Sequence, residues 1–377
     1  MKNGNIFEQE ISRRELLKIS LIGVGALAVS STMAGCAPRE DYSMMVAGIH
    51  EGGKLSGSLD QTLKQELVRL ASLAASGHNT QPWNFRIEDS AIRITPDYSR
   101  RLPVVDPNDR ELWMSLGCAM ENLSVAAHAA GLATQEVNFP QGEDSLVVTL
   151  QPGTQSSDQD LANAISSRQC NRSAYDGKSI PQSQIQSLLG LTTGDCSVVL
   201  AENDSMDAIV DLVRTGDLAQ YADQAFLDEL VYWLRFNKNE AQRTRDGLYS
   251  ACSGNPSVPR FLGKLFLSPS SAPKQADTDE KMLRSSSAVI LLATPGDDKQ
   301  DWVMAGRTFQ RLALTMSGMG IQLAFMNQPI EVAALRKDLG NVFGLTHEVP
   351  QLLLRLGYAE SMPYSLRREV SDMVLNA

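Results

Sequence analysis

The 377-residue chain is 43% hydrophobic and 21% charged, with 34 Lys and Arg against 44 Asp and Glu, a formal net charge of −10. That supplies the core of one large or two ordinary domains. The acidic balance argues against a general nucleic-acid binder and leaves room for one small basic pocket.

At the N-terminus, Ser12-Arg13-Arg14-Glu15-Leu16-Leu17-Lys18 precedes an apolar run at 19–33, which closes at Met33-Ala34-Gly35-Cys36. Paired arginines before a modest hydrophobic segment read as a twin-arginine export signal. Small residues before Cys36 read as a lipoprotein cleavage site. The competing reading is a transmembrane anchor, but about fifteen residues broken by Gly23, Gly25 and Ser30-Ser31-Thr32 are short for roughly 30 Å of hydrocarbon. Folded proteins carrying a trapped cofactor commonly use this export route, so the signal points to a cofactor enzyme at the cell envelope, periplasmic or on the outer surface, anchored through lipidated Cys36. Ala37 stands where an Asp would favour inner-membrane retention.

Residues 37–58 lack periodicity and read as a tether. The spacing of Leu63, Leu67, Leu70 and Leu73 predicts a helix over 59–75, and alternation predicts a strand pair over 84–95. A second helix is expected at 109–131, stopped by Gly131, and a strand at 146–150 closes a first unit. The chain then begins again. Helices are expected at 158–167, 182–189, 205–215 and 218–237, with a strand at 196–200. Residues 254–274, rich in Gly, Pro and Ser, read as a mobile lid. A strand at 287–293, a long helix from 301 ended by Gly318 and Gly320, a helix at 330–339 and a strand at 351–356 complete an α+β chain. The helix at 305–319 mirrors that at 109–131, each followed by a Gly-marked strand start, which suggests a degenerate duplication. The expected layout is a signal (1–35), a tether (36–58), a first unit (59–155) and a second unit (156–377) with its lid around 250–275. Cys118, Cys170, Cys196 and Cys252 include no CxxC pair, so no zinc knuckle or thioredoxin-like site is indicated.

The strongest local signal is Ser76-Gly77-His78-Asn79-Thr80-Gln81-Pro82-Trp83. Asn79 and Gln81 each offer an amide donor and acceptor, Gly77 permits close backbone approach, and Trp83 is a large apolar surface. The set suits a flat, polar-edged heterocycle. It equally suits a structural turn with Trp83 in the core.

With Asn84 and Phe85 added, this string resembles the flavin-contacting loop of the nitroreductase family, in its Acg-like subgroup of two units fused in one chain. The resemblance continues through Asp106-Pro107-Asn108-Asp109-Arg110-Glu111-Leu112, Ser115-Leu116-Gly117-Cys118-Ala119-Met120, Arg168-Gln169-Cys170-Asn171-Arg172 and Gly306-Arg307-Thr308-Phe309-Gln310-Arg311. It ends at Leu356-Gly357-Tyr358 and Pro363-Tyr364-Ser365-Leu366-Arg367-Arg368. It implies a nitroreductase-like FMN-binding fold whose two degenerate units form an intramolecular pseudo-dimer, so that a monomer suffices. It implies that Ser76, Gly77, Asn79 and Gln81 face the flavin ring, and that Arg168, Cys170, Arg172, Arg367 and Arg368 stand at the phosphate. Lys281 would sit at the N1/C2 edge and Asn327 on the N5 side. Cys170 replaces the Ser of many relatives. No side-chain nucleophile and no metal are called for. The implied activity is FMN-dependent, ping-pong reduction of a quinone or nitroaromatic-like acceptor by a small-molecule donor. The alternatives are a non-catalytic flavin-binding protein with an occluded site and a structural lipoprotein that has lost the ligand.

Overall fold

The computed structural model describes residues 41–53, 55, 59–153, 158–192, 194–202 and 204–375. The export signal, Cys36 and the first tether residues lie outside them. Helix α1 (Tyr42–His50) is followed by α2 (Gln61–Ser72), whose first turn is closed by the Leu63 amide donating to the Asp60 carboxylate at 2.9 Å. Leu63, Leu67 and Leu70 face inward at helical spacing. Strands β1 (Trp83–Ile87) and β2 (Ala91–Pro96) form a hairpin. Helix α3 (Arg110–Ala129), strands β3 (Leu132–Asn138) and β4 (Leu146–Pro152) and helix α4 (Gln159–Ile165) follow.

The second half opens with α5 (Gln182–Leu189) and β5 (Ser197–Leu200). An insertion then carries α6 (Met206–Ala222), α7 (Gln224–Trp233), β6 (Leu234–Arg235), α8 (Lys238–Thr244), β7 (Leu248–Tyr249), α9 (Arg260–Leu265) and α10 (Ala272–Arg284). Strand β8 (Ala288–Thr294), α11 (Lys299–Gly318), β9 (Gln322–Phe325), α12 (Gln328–Glu331), α13 (Ala333–Val342) and β10 (Val349–Gly357) complete it.

The two halves repeat one topology. One antiparallel sheet has the order β1-β2-β4-β3, and the other has β5-β8-β10-β9. The fold is thus α+β, with two similar sheet-and-helix units arranged as a fused pseudo-dimer. In each half the third element of the set is a 20-residue helix, α3 or α11. Both end two residues before a glycine in left-handed backbone, Gly131 (φ 81°) or Gly320 (φ 72°), which turns the chain into the next strand.

These two helices pack on each other through matched glycines. A Cβ on Gly117 would lie 2.3 Å from the Val303 carbonyl oxygen, and one on Gly306 would lie 2.0 Å from that of Met114. Each glycine faces the backbone three residues before the other, the reciprocity of a two-fold interface. Around the crossing, Glu121 is fully buried and accepts from Arg307 (2.9 Å) and Arg311 (2.6 Å), while the Gln310 amide donates to Asn122 Oδ1 at 2.7 Å. The C-terminal segment also crosses over. The Phe85 amide donates to the Met373 carbonyl and the Leu375 amide to that of Phe85, adding residues 373–375 to the edge of the first sheet.

Several sequence expectations change. Part of the tether is α1, packed on the fold through the Tyr42 hydroxyl, which donates to the Tyr364 carbonyl at 2.8 Å. Strand β3 is half polar and lies at a sheet edge, so its apolar signal is weak. Helix α6 runs through Gly216, because that glycine lets Gln328 approach (a Cβ would meet it at 2.7 Å) and is no helix stop. The break falls at Asp223, which accepts from the Ala225 amide. The expected lid contains two helices, α9 and the start of α10. Trp83 is fully buried, with its indole N–H directed at Met373 sulfur (3.3 Å), so it is a core residue.

Gly306→Ala places a methyl against backbone that cannot move away. The expected loss is about 3 kcal/mol or more of unfolding free energy, read by urea denaturation. A surface control such as Gly318→Ala, with open space around its Cβ position, should not lose stability.

Candidate functional site

The loop after α2 carries three non-glycine residues with positive φ, His78 (46°), Asn79 (53°) and Gln81 (54°). Such backbone costs about 1 kcal/mol or more per residue and persists only when its surroundings hold it. The hold is visible. Asn79 Nδ2 donates to the Gly247 carbonyl at 3.1 Å and to that of Leu366 at 3.3 Å, and the Gly247 amide donates back to the Asn79 carbonyl. Gln81 Nε2 donates to the Arg245 carbonyl at 2.9 Å, while the Arg368 amide donates to Gln81 Oε1 at 2.7 Å. The second half therefore clamps the first half's loop from two sides.

Beside this loop a cavity of about 200 Å³ is walled by both halves. One end is basic. Arg168 and Arg367 are 5% and 9% exposed, and among the described residues neither has a carboxylate partner. Arg168 Nη2 donates to the Leu73 carbonyl at 3.0 Å, and Arg367 Nη2 to that of Ala74 at 3.5 Å. Both guanidiniums thus sit at the C-terminal end of α2, where the exposed carbonyls favour cations. The Nε of each is buried without a partner. Burial, reinforced by Arg168, lowers the pKa of Arg367 to about 10. Two buried like charges with orphaned donors form a receptor for an anion.

The other end is acidic. Glu111 at the start of α3 and Glu331 at the end of α12 both line the cavity, with Arg110 Nη2 donating to Glu111 Oε1 at 3.2 Å. Burial raises the pKa of both, well above the usual range for Glu111, so the pair retains a proton at pH values where isolated glutamates have lost theirs. Gln220 Nε2 donates to Glu331 at 2.5 Å. Two histidines complete the lining. Burial brings His50 and His78 down to about 4, so both are neutral at pH 7, and His50 Nε2 and His78 Nδ1 are buried without partners. Three free thiols, Cys118, Cys170 and Cys252, also face this space.

Of the residues singled out in the sequence, Ser76, Gly77, Asn79, Arg168, Cys170, Arg172, Asn327 and Arg367 line one cavity. Three lie elsewhere. Gln81 is wholly buried and spends its amide on the loop clamp. Arg368 holds the backbone, donating to the carbonyls of Gln81 (3.2 Å), Trp83 (3.3 Å) and Asp372 (2.7 Å). Lys281 is exposed on α10, whose buried face is Ala272, Ala276 and Leu283; the polar run around it is that helix's solvent side. Of the segment around 250–275 expected as a lid, Cys252 and Ser253 line the cavity, as does Tyr249 just before it. Sequence reasoning missed Glu111, Glu331 and His50 as cavity residues. Glu111 stood inside a quoted motif, but nothing in its spacing to Glu331 brings the two together.

No family model matches the chain. It is 28% identical over 333 residues to the Rv3131 protein of Mycobacterium tuberculosis (strain H37Rv), which bears the provisional name NAD(P)H nitroreductase; the match covers 84% of this chain and 92% of that one. The provisionally named NAD(P)H nitroreductase Acg of the same organism is 24% identical over 326 residues, covering 81% and 93%. Among solved structures, the FMN-dependent nitroreductase NfnB of Mycobacterium smegmatis in complex with NADPH covers 58% of this chain and 98% of its own, with 14% identity and a TM-score of 0.37; at that distance the likeness carries no argument. The chain is similar to both of these relatives over more than four fifths of its length, and its own architecture is α+β with two similar sheet-and-helix units.

Because burial raises the pKa of both Glu111 and Glu331 above the ~4.3 of unfolded glutamates, this pair's contribution to stability falls as pH rises above that value. Glu331→Gln removes one of the two titrating groups. Between pH 4.5 and pH 8 the variant should therefore lose less stability than the native protein, measured by urea titrations at both values.

Proposed function

We propose that the cavity binds FMN and that the protein is an oxidoreductase of nitroreductase type, exchanging electrons between a small-molecule donor and an acceptor such as a quinone or nitroaromatic. The observation that carries this reading is the buried, carboxylate-free pair Arg168 and Arg367, which fits a phosphate dianion. The strained loop at 76–79 beside it fits a flat heterocycle, and the whole-length similarity to proteins named NAD(P)H nitroreductases agrees. When bound, FMN would supply the electron-transfer chemistry, as flavins do. The chain's part is to hold the phosphate with Arg168 and Arg367, with Arg172 at the rim, and to present Ser76, Gly77 and Asn79 to the ring. Asn327 lies on the wall near Glu331; its Oδ1 accepts from the Leu353 amide at 3.0 Å, which fixes its orientation. The Glu111 and Glu331 carboxyls, their pKa values raised by burial, line the same cavity.

A second reading has its own observation. About 200 Å³ is less than the ~300 Å³ at which small-molecule pockets begin. A ligand as large as FMN requires the walls at 249–253 and 363–367 to yield, and a closed form would be a flavin-binding protein with restricted access. We place the protein at the cell envelope, exported by the twin-arginine route and tethered through lipidated Cys36, on the sequence of residues 12–36. Fusion of the two units removes the need for a homodimer.

The visible spectrum of protein purified from a flavin-replete host separates the readings. Flavin bands that bleach anaerobically with a donor and return with a quinone or nitroaromatic support the oxidoreductase. Bands that bleach only with dithionite support the restricted binder, and colourless protein that takes up no FMN removes both. Free FMN at about 100 times its Kd should add about 2.7 kcal/mol to the unfolding free energy. Arg168→Met should weaken FMN at least about tenfold by losing a charge-assisted contact, without lowering the stability of the unliganded protein, since it removes an uncompensated buried charge.

A further inference from the structure

We propose that the face built around α9 seats on the surface of an anionic lipid bilayer, holding the cavity-bearing unit against the membrane. Among the described residues, the large hydrophobic side chains left exposed are mostly scattered singly, but Phe261 (69%), Leu262, Leu265 (73%) and Phe266 (70%) fall within six consecutive positions. Isolated exposed apolar groups need no explanation; a contiguous cluster does.

The face is rigidly mounted. Gly263, on the opposite side of α9, lies so close to Phe236 that a Cβ there would meet the ring at 2.1 Å. The Val258 amide donates to the Phe236 carbonyl, and Arg260 pairs with Glu240 at 3.1 Å. The aromatic and leucine side chains therefore project outward from a fixed base. The local charge has the sign an anionic surface needs. In a chain of net charge −10, residues 247–276 contain no Asp or Glu; Arg260 is balanced by Glu240, which leaves the charges of Lys264 on α9 and Lys274 on α10. Apolar and aromatic side chains interleaved with Lys and Arg are the composition of segments that lie in a membrane interface. No helix among the described residues is long and apolar enough to cross a membrane, so contact at this face is contact with the surface.

The reach of the segment that precedes Asp41 favours the bilayer over other occupants. Asp41, the first described residue, pairs with Lys238 at 2.6 Å, in the segment 236–240 that carries α9. Cys36 is five residues earlier, within about 17 Å of extended chain. A lipid on Cys36 would thus be within chain reach of a membrane that the apolar face contacts, and one surface would serve both anchors. In this respect alone the inference rests on the envelope reading above; the face itself does not.

The test uses unlipidated residues 37–377, since Asp41–Ala377 packs as one unit. It measures flotation with phosphatidylcholine/phosphatidylglycerol vesicles for the native protein and for Phe261→Ser/Leu265→Ser/Phe266→Ser. All three positions are exposed, so an unchanged melting curve is expected of the variant. The native protein should float, and the triple variant should bind at least about tenfold more weakly. Absence of native flotation overturns the proposal, as does equal flotation of the two. A concentration-dependent dimer that the triple variant abolishes, without flotation, assigns the face to a second copy and also overturns it. The mass of Cys36 in the exported full chain reports lipidation separately. A chain without acyl groups there would remove the anchor and leave the flotation result standing.

Discussion

Everything in this fold depends on two helices being able to touch backbone to backbone. Gly117 and Gly306 each stand seven residues into a 20-residue helix, and each accepts the other helix's main chain where any side chain would collide. Close approach at that point brings the two sheet-and-helix units together as a pseudo-dimer. It also buries Glu121 between Arg307 and Arg311, a charged cluster that is sound only when both halves are present. The glycines therefore act as a register mark: shifted by one turn, the helices could neither approach nor satisfy that carboxylate.

The cavity is a consequence of that docking. Its basic end is assembled at the C-terminus of α2 in the first unit from arginines that lie 95 and 293 residues away along the chain from the carbonyls they cap. Its acidic end joins Glu111 of the first unit to Glu331 of the second. The loop between them is held in left-handed backbone by residues 245–247 and 366–368. The two units share a topology but not their side chains. Beside the crossing, Cys118 and Asn122 occupy the positions matched by Arg307 and Arg311. The repeated topology supplies the frame, and the differing side chains give the cleft described above its charged lining.

Much of the architecture was legible because it is local. The leucine spacing of α2, the alternation of β1 and β2, and the glycines at 131 and 320 each act within a few residues, where periodicity and backbone freedom leave a direct trace. The correspondence of α3 with α11 was visible for the same reason. Where a residue's role depends on a remote neighbour, the trace fails. Gly216 looks like a helix stop until Gln328 is seen against it. Lys281 sits in a polar run that only the packing of α10 identifies as a solvent face. Gln81 and Arg368 carry the right chemistry for a ligand, yet the fold spends them on each other's backbone.

By itself, then, the sequence determined the α+β class, the two-fold repetition and the set of arginines, amides and small residues from which a site for an anionic, flat ligand is drawn. Only the tertiary structure decided which of them meet. Arg168 and Arg367 are brought together with their charge unbalanced, and Glu111 and Glu331 are brought together where burial raises the pKa of both. The reason is physical. Helix and strand periods are set by neighbours along the chain, whereas burial, charge compensation and shifted pKa values are set by neighbours in space, which the chain acquires only when its two halves close on each other.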